Sequence, residues 1–311
     1  MQTSATGRIL VLGATGFLGK RVCKKLDAAG LKYSRTALSL GTDLREEKQA
    51  GALFKKEKPT HVLNCAAYVG GIQFGYKHPA ELFRNNLLMS INILECCRKY
   101  NVKRLVNPIS NCAYPARATL FKEDEFWDGP LHESVLVYGL ARKTSYVGAW
   151  AYAKQFGLDS INLILSNMYG PEDHFEEERS HAIGALIMKM AKAKKANEQS
   201  VVVWGTGKPV REWLYVDDGA EAMVRGLSCQ KYDGILNIGT GAGISIRELA
   251  EKIKKAVGYT GKLIYDSSKP DGAPYKTVDG SRSAKFLNWK PSTKLDDGLK
   301  LTVDWYMKNR G

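Results

Sequence analysis

The chain has 311 residues, with 46 Lys and Arg against 32 Asp and Glu for a formal net charge of +14, and it is long enough to bury a substantial core in one large domain or two ordinary ones. No apolar stretch approaches the roughly 20 residues needed to span a bilayer, residues 1–7 are polar rather than a secretory signal, and the six cysteines Cys23, Cys65, Cys96, Cys97, Cys112 and Cys229 lack paired metal-ligand spacings. A reducing cytoplasm is therefore expected, with no membrane partner and no metal.

The charge invites a nucleic-acid partner. The densest lysine groups, Lys24-Lys25, Lys55-Lys56-Lys58 and Lys192-Lys194-Lys195, fall instead on polar faces of predicted helices, without interleaved aromatics or a nucleic-acid-binding signature. A solvated basic surface, favouring phosphate-bearing small molecules over DNA or RNA, is the expected reading.

The first predicted strand, 8–13, runs straight into Ala14-Thr15-Gly16-Phe17-Leu18-Gly19 and a helix over 16–29. Gly13, Gly16 and Gly19 thus form a GxxGxxG turn between strand and helix. Glycine suits a tight turn, close approach to a pyrophosphate and packing of helix on strand, and the helix N-terminus offers free amides to the phosphates. An NAD site places an acid about 20 residues beyond such a turn, after the second strand. Tyr33-Ser34-Arg35-Thr36 occupies that region, and the nearest acid is Asp43. Arg35, helped by Lys20 or Arg21, suits a 2′-phosphate, which favours NADPH; the alternative is an ordinary surface arginine.

Further along, strand-like runs at 60–64, 104–110 and 159–166 alternate with helical patterns at 79–100 and 138–156. The alternation predicts an α/β fold with a Rossmann-type doubly wound parallel sheet, its strands apolar on both faces. After about residue 167 the strands shorten (201–204, 235–238, 262–265) among helices at 181–196, 245–257 and 294–308. A smaller, partly discontinuous α/β substrate domain is expected, with residues 1–167 and 215–240 binding NADP and residues 168–214 and 241–311 binding a sugar nucleotide.

The strand at 104–110 ends in Ser110-Asn111-Cys112-Ala113-Tyr114-Pro115, and Tyr138 lies on the next predicted helix. A phenol with a cation one helical turn away can protonate a carbonyl oxygen that a serine holds in place. The glycine turn, Ser110 and Tyr138 together resemble the extended short-chain dehydrogenase/reductase family. Ala66-Ala67-Tyr68-Val69-Gly70-Gly71-Ile72, the Ser110 to Pro115 stretch, Asn167-Met168-Tyr169-Gly170-Pro171-Glu172-Asp173-His174-Phe175, His181 before Ala182-Ile183, and the run from Val203 to Trp213 narrow the likeness to the GDP-L-fucose synthase branch. Lys269-Pro270-Asp271-Gly272 and Lys276 extend it to nearly the whole chain.

That resemblance implies a GDP-linked 4-keto-6-deoxy sugar, inverted at C3 and C5 and reduced at C4 with NADPH, or a close analogue such as a heptose. It implies catalytic roles for Ser110, Cys112, Tyr138, Arg142 and His181. Cofactor contacts are implied at Gly13, Thr15, Gly16, Phe17, Leu18, Gly19, Arg35, Asp43, Leu44 and Ala66, and substrate contacts at Asn167, Lys189, Trp204, Arg211 and Lys276. A C4 ketone acidifies both neighbouring carbons, so inversion needs a base and an acid on opposite faces; Cys112 and His181 match those positions. Otherwise Cys112 is a small buried hydrophobe and His181 a capping or core histidine. His181 would titrate near neutrality without help. Trp204, Trp213 and Tyr169 have core readings too, and Glu176-Glu177-Glu178 reads as a solvated loop. A homodimer through helices 79–100 and 138–156 is also implied.

The branch departs at one catalytic position. The family reads tyrosine, three residues, lysine; this chain reads Tyr138-Gly139-Leu140-Ala141-Arg142-Lys143. Four residues return to nearly the same helix face, whereas five turn about 100° further, so Arg142 and not Lys143 meets Tyr138. The exchange leaves three outcomes open: normal work with arginine, slow or altered work, or loss of reduction with binding retained. Asn111, where the branch has a small hydroxyl residue, and Tyr275, at a usually basic position, point to a shifted substrate.

Overall fold

Strand and helix alternate through the first half of the chain: β1 (Ile9–Leu12), α1 (Phe17–Ala28), β2 (Tyr33–Thr36), α2 (Glu47–Glu57), β3 (His61–Asn64), α3 (Ile72–Lys77), α4 (Pro79–Lys99), β4 (Arg104–Ser110), α5 (Leu136–Phe156) and β5 (Asp159–Leu165). The second half adds β6 (Asn167–Tyr169), α6 (Ala182–Lys195), β7 (Ser200–Trp204), β8 (Val210–Tyr215), α7 (Val216–Arg225), β9 (Ile235–Ile238), β10 (Gly243–Ser245), α8 (Ile246–Val257), β11 (Lys262–Asp266), β12 (Tyr275–Lys276), α9 (Ser281–Phe286) and α10 (Leu295–Asn309). This computed structural model describes residues 7–176, 179–269 and 271–310. Glu177 and Glu178 of the acidic run, Pro270 and the polar segment 1–6 lie outside the described residues.

Six strands form one parallel sheet in the order β2-β1-β3-β4-β5-β9. Apolar side chains leave both faces of the sheet dry: Val22, Leu26, Ala220 and Met223 of α1 and α7 pack on one face, and Ala50, Phe54, Ile93 and Ala149 of α2, α4 and α5 on the other. This is the doubly wound α/β sheet expected from the alternation. The chain leaves β1 toward β2 on one side and returns to β3 on the other. Such a switch point opens a crevice at the carboxyl ends of the strands.

Tyr33-Ser34-Arg35-Thr36, expected to follow the second strand, is itself that strand, pairing with β1 from Ile9↔Tyr33 to Leu12↔Thr36. Its polar Ser34 and Arg35 read as a turn, but β2 is a sheet edge, where outward polar residues are tolerated. Helix α5 starts at Leu136, two residues ahead of the expected start, led in by a 3₁₀ turn at Glu133–Val135.

The smaller layer contains β10-β8-β12 with β6 paired to β8, and the parallel pair β11-β7. Ile187, Met190, Leu249, Ile253, Leu299 and Val303 of α6, α8 and α10 form its core. Glu212 of β8, fully buried, joins this layer to the large sheet. Ser166 Oγ at the end of β5 and Val278 N beyond β12 donate to its carboxylate at 2.9 and 2.7 Å, and Thr240 N beyond β9 donates as well. A carboxylate is tolerated in such a place only because donors surround it.

Candidate active site

At the amino-terminal end of the crevice, Gly13 takes φ +71°, and a Cβ there would lie 2.6 Å from Ala66 N. A Cβ on Gly19 would lie 2.1 Å from Gly13 O, so the turn closes against β3 and the first turn of α1 only with glycine. Helix α1 begins at an N-cap Gly16 with no side-chain cap and no acid in its first turn. Its first amides are left for an anion, and the cradle fits a dinucleotide pyrophosphate.

Around the adenosine end, Thr15 Oγ1 and Ser39 Oγ lie 2.7 Å apart, and Arg35 is exposed on β2. The other two basic candidates are drawn elsewhere: Lys20 and Arg21 pair with Glu172 at 2.9 and 3.1 Å. Asp43 is held by Arg45, at 2.6 Å, which keeps its carboxyl below the usual range. Leu44 is a core residue whose carbonyl accepts from Asn92 Nδ2 at 2.9 Å.

From Gly16, Phe17 and Leu18 a cleft of about 630 Å³ runs past Ser110, Asn111, Cys112, Tyr138 and Arg142 to Asn167, His181, Lys189, Trp204, Arg211 and Lys276. The fold therefore gathers the five residues with implied catalytic roles and the five with implied substrate roles into one space. Helix α5 sets Tyr138 and Arg142 one turn apart. Arg142 Nε donates to the Tyr138 hydroxyl at 3.1 Å, and its Nη2 to Ala66 O at 3.5 Å. Arg142 is buried beside Ala66 rather than waving in solvent. Lys143 turns away: its Nζ donates to Phe126 O at 2.5 Å and sits 4.5 and 4.4 Å from the rings of Phe126 and Trp127.

Beyond β4 the chain turns through Asn111–Ala113, and Ser110 Oγ caps that turn by accepting from Cys112 N at 3.2 Å. The serine hydroxyl keeps its proton for another acceptor. Across the cleft Lys276 Nζ donates to Cys112 Sγ at 3.7 Å, which brings a residue implied for substrate binding onto the thiol. Arg211 donates to Val210 O at 2.8 Å and Asp271 O at 3.3 Å. Burial pushes the guanidinium down to about 10, offset in part by Cys112 and Asp271.

His181 occupies the N-cap position of α6 without capping it. Burial pushes the imidazole below its ordinary value, and Nδ1 has no partner. The expectation that it titrates near neutrality unaided is corrected accordingly: it is neutral at neutral pH until something charges it. Trp204 is 40% exposed, under Lys189 Nζ at 4.9 Å and Lys269 Nζ at 5.7 Å. Asn167 Nδ2 donates to Glu212 O at 3.0 Å.

Sequence reasoning missed Asp173 as a site residue. It lines the cleft, its Oδ1 accepts from His174 N at 2.7 Å, and burial pushes its carboxyl up to about 7. Its membership of the Tyr169-Gly170-Pro171 stretch was the available signal; its burial was not visible there.

Comparison with known proteins finds relatives along nearly the whole chain. Residues 9–239 match the NAD dependent epimerase/dehydratase family. GDP-L-fucose synthase 1 of Arabidopsis thaliana is 37% identical over 98% of this chain and 94% of its own. Among solved structures, a GDP-6-OMe-4-keto-L-xylo-heptose reductase from C. jejuni superposes with a TM-score of 0.92 at 27% identity, covering 100% of this chain and 99% of that one. A GDP-L-fucose synthetase from Naegleria fowleri bound to NADP gives a TM-score of 0.89 at 29% identity, over 99% and 95%.

Proposed function

The chain belongs to the NAD dependent epimerase/dehydratase family, in its GDP-L-fucose synthase group, and from that premise we propose that it is an NADPH-dependent epimerase and reductase of a GDP-linked 4-keto-6-deoxy sugar. The observation that carries this reading is the single cleft joining the glycine turn to Ser110, Tyr138, Cys112 and His181. Residues 1–167 with 215–240 hold the cofactor in this reading, and residues 168–214 with 241–311 hold the sugar nucleotide.

NADPH, held by its pyrophosphate at the Gly13–Gly19 turn and the amino end of α1, would supply the hydride for the C4 carbon. Tyr138 gives its proton to the C4 oxygen, and Arg142, which always carries a charge, steadies the phenolate that remains. Ser110 donates to the same oxygen, since its lone pairs already face Cys112 N. Before reduction, Cys112 takes a proton from a carbon beside the ketone, with Lys276 against the sulfur. His181 returns a proton from the other face and must be charged on substrate binding, because burial keeps it neutral. Arg211, Lys189 and Trp204 receive the nucleotide diphosphate and base.

A second reading, C4 reduction without inversion, is favoured by the likeness to the heptose reductase and by Asn111 in the serine–cysteine turn. Incubation with GDP-4-keto-6-deoxy-D-mannose in deuterated water without NADPH separates the two. Deuterium at C3 and C5 is the expected result. No label, with NADPH still oxidised on the full reaction, leaves reduction alone.

Homodimer formation and cytoplasmic residence belong to the same proposal. Phe83 and Ile91 on α4, with Leu140, Val147 and Trp150 on α5, are all more than 40% exposed. Such a face supports a two-fold pairing of these helices.

A further inference from the structure

Between β3 and α4 the chain inserts α3, whose N-cap is Gly71. Gly71 has φ −65° and ψ 180°, an extended conformation open to any residue, so its backbone does not call for glycine. Its surroundings do. A Cβ built on it would lie 2.5 Å from Ser180 O, and a bare Cα is what lets the two segments meet there. Ser180 O belongs to the peptide that leads into His181, the residue that returns a proton during inversion in the reading above.

Arg179 Nε, Ser180 Oγ and His181 Nδ1 have no hydrogen-bond partner among the described residues, so these side-chain atoms do not anchor the approach to His181. Its main chain does. Arg179 N and Ser180 N donate to Glu176 O at 3.1 and 2.9 Å, and Ala185 N donates to His181 O at 2.9 Å, all within one stretch of chain. From the large-sheet side, Gly71 N donates to Arg179 O at 3.2 Å. Phe74 of α3, itself buried, lies beneath the Arg179 guanidinium with its ring centroid 5.3 Å away. Gly71 and His181 both line the cleft.

We propose that Gly71 is a positioning residue for His181: its amide and its missing side chain seat the peptide before the imidazole against α3, and so set where the imidazole stands in the cleft. This deepens the proposed function and rests on its inversion step. The hydrogen bonds of Ser110, Tyr138 and Arg142 run to other partners, Cys112 N and Ala66 O among them. The seat at Gly71 therefore serves inversion and leaves reduction alone.

The test is Gly71→Ala, whose single methyl group must displace Ser180 O or α3. Inversion of GDP-4-keto-6-deoxy-D-mannose at C3 and C5 is followed by NMR without NADPH, and reduction of the already inverted ketone by NADPH oxidation. Inversion should fall by about tenfold to 10²-fold, the cost of misplacing a reacting group by about 1 Å. Reduction should stay within about threefold of the parent, and affinity for NADPH should not change. Phe74→Leu removes the ring beneath Arg179 and keeps an apolar side chain; it should show the same split at smaller size, and it decides by the same criteria if Gly71→Ala does not fold. Unchanged inversion, or inversion and reduction falling in step, would overturn the inference and leave a glycine that serves only the fold. A parent enzyme that reduces the inverted ketone but never inverts the substrate would sink the epimerase reading itself, a result seen before any variant is made.

Discussion

The two flanks of the cleft are built on opposite plans. On the Tyr138 flank the polar groups are matched within the protein: the phenol to Arg142 Nε at 3.1 Å, the guanidinium also to Ala66 O at 3.5 Å. The partners stand one turn apart on α5. On the Cys112 flank, Lys276 reaches the sulfur from 164 residues away, while Asn111 Nδ2 and His181 Nδ1 have no partner. The first flank is wired within one helix, and the second between segments far apart in the chain. Reduction should therefore depend on a few local contacts, and inversion on how the small layer is held against the sheet.

The largest effect expected from this contrast comes from Tyr138→Phe. Loss of a proton donor in the transition state costs about 10²- to 10⁴-fold, so NADPH oxidation should collapse by roughly 10³-fold, followed at 340 nm. Deuterium exchange at C3 and C5 should survive. Cys112→Ser should do the reverse: exchange falls by a similar factor, and a ketone already inverted at both carbons is still reduced. If each change abolishes both activities, the flanks form a single unit and the contrast fails.

A smaller effect sharpens the wired flank. Arg142→Met removes the cation beside the phenol and should lower reduction by about 10²-fold. Arg142→Lys restores charge on the same helix face and should stay within about tenfold of the parent or exceed it. Complete loss on the lysine change would mean that the guanidinium's second bond, to Ala66 O, organises the flank. Comparing kcat with KM for NADPH tells these outcomes apart.

What the sequence made legible follows the same division. The glycine turn and the Tyr138–Arg142 pair are local, so strand-turn-helix order and a 3.6-residue period suffice to read them. Lys20 and Arg21, weighed as partners of a 2′-phosphate, show the limit: Glu172, some 150 residues away, takes both. No spacing rule announces that contact. Likewise Glu212 reads as one more charge on a short strand, yet it sits fully buried where β5, β9 and β12 converge. The contact of Lys276, on β12, with Cys112 depends on that junction. Resemblance supplied the names of several such residues, but their neighbours came only with the fold.

The last prediction concerns the stability of the fold and rests on Asp173, which lines the cleft. An aspartate ordinarily ionises near 3.8, and burial moves this one to about 7 in the folded protein. Between those values the folded state holds a proton that the unfolded chain has lost, so stability falls as pH rises from about 4 through about 7. Asp173→Asn keeps an oxygen for His174 N and cannot ionise. It should match the parent in thermal melts near pH 4 and melt higher at pH 8, with the gap opening across that window. A gap that stays constant with pH would show that burial leaves the Asp173 carboxyl at its ordinary value despite its contact with His174 N.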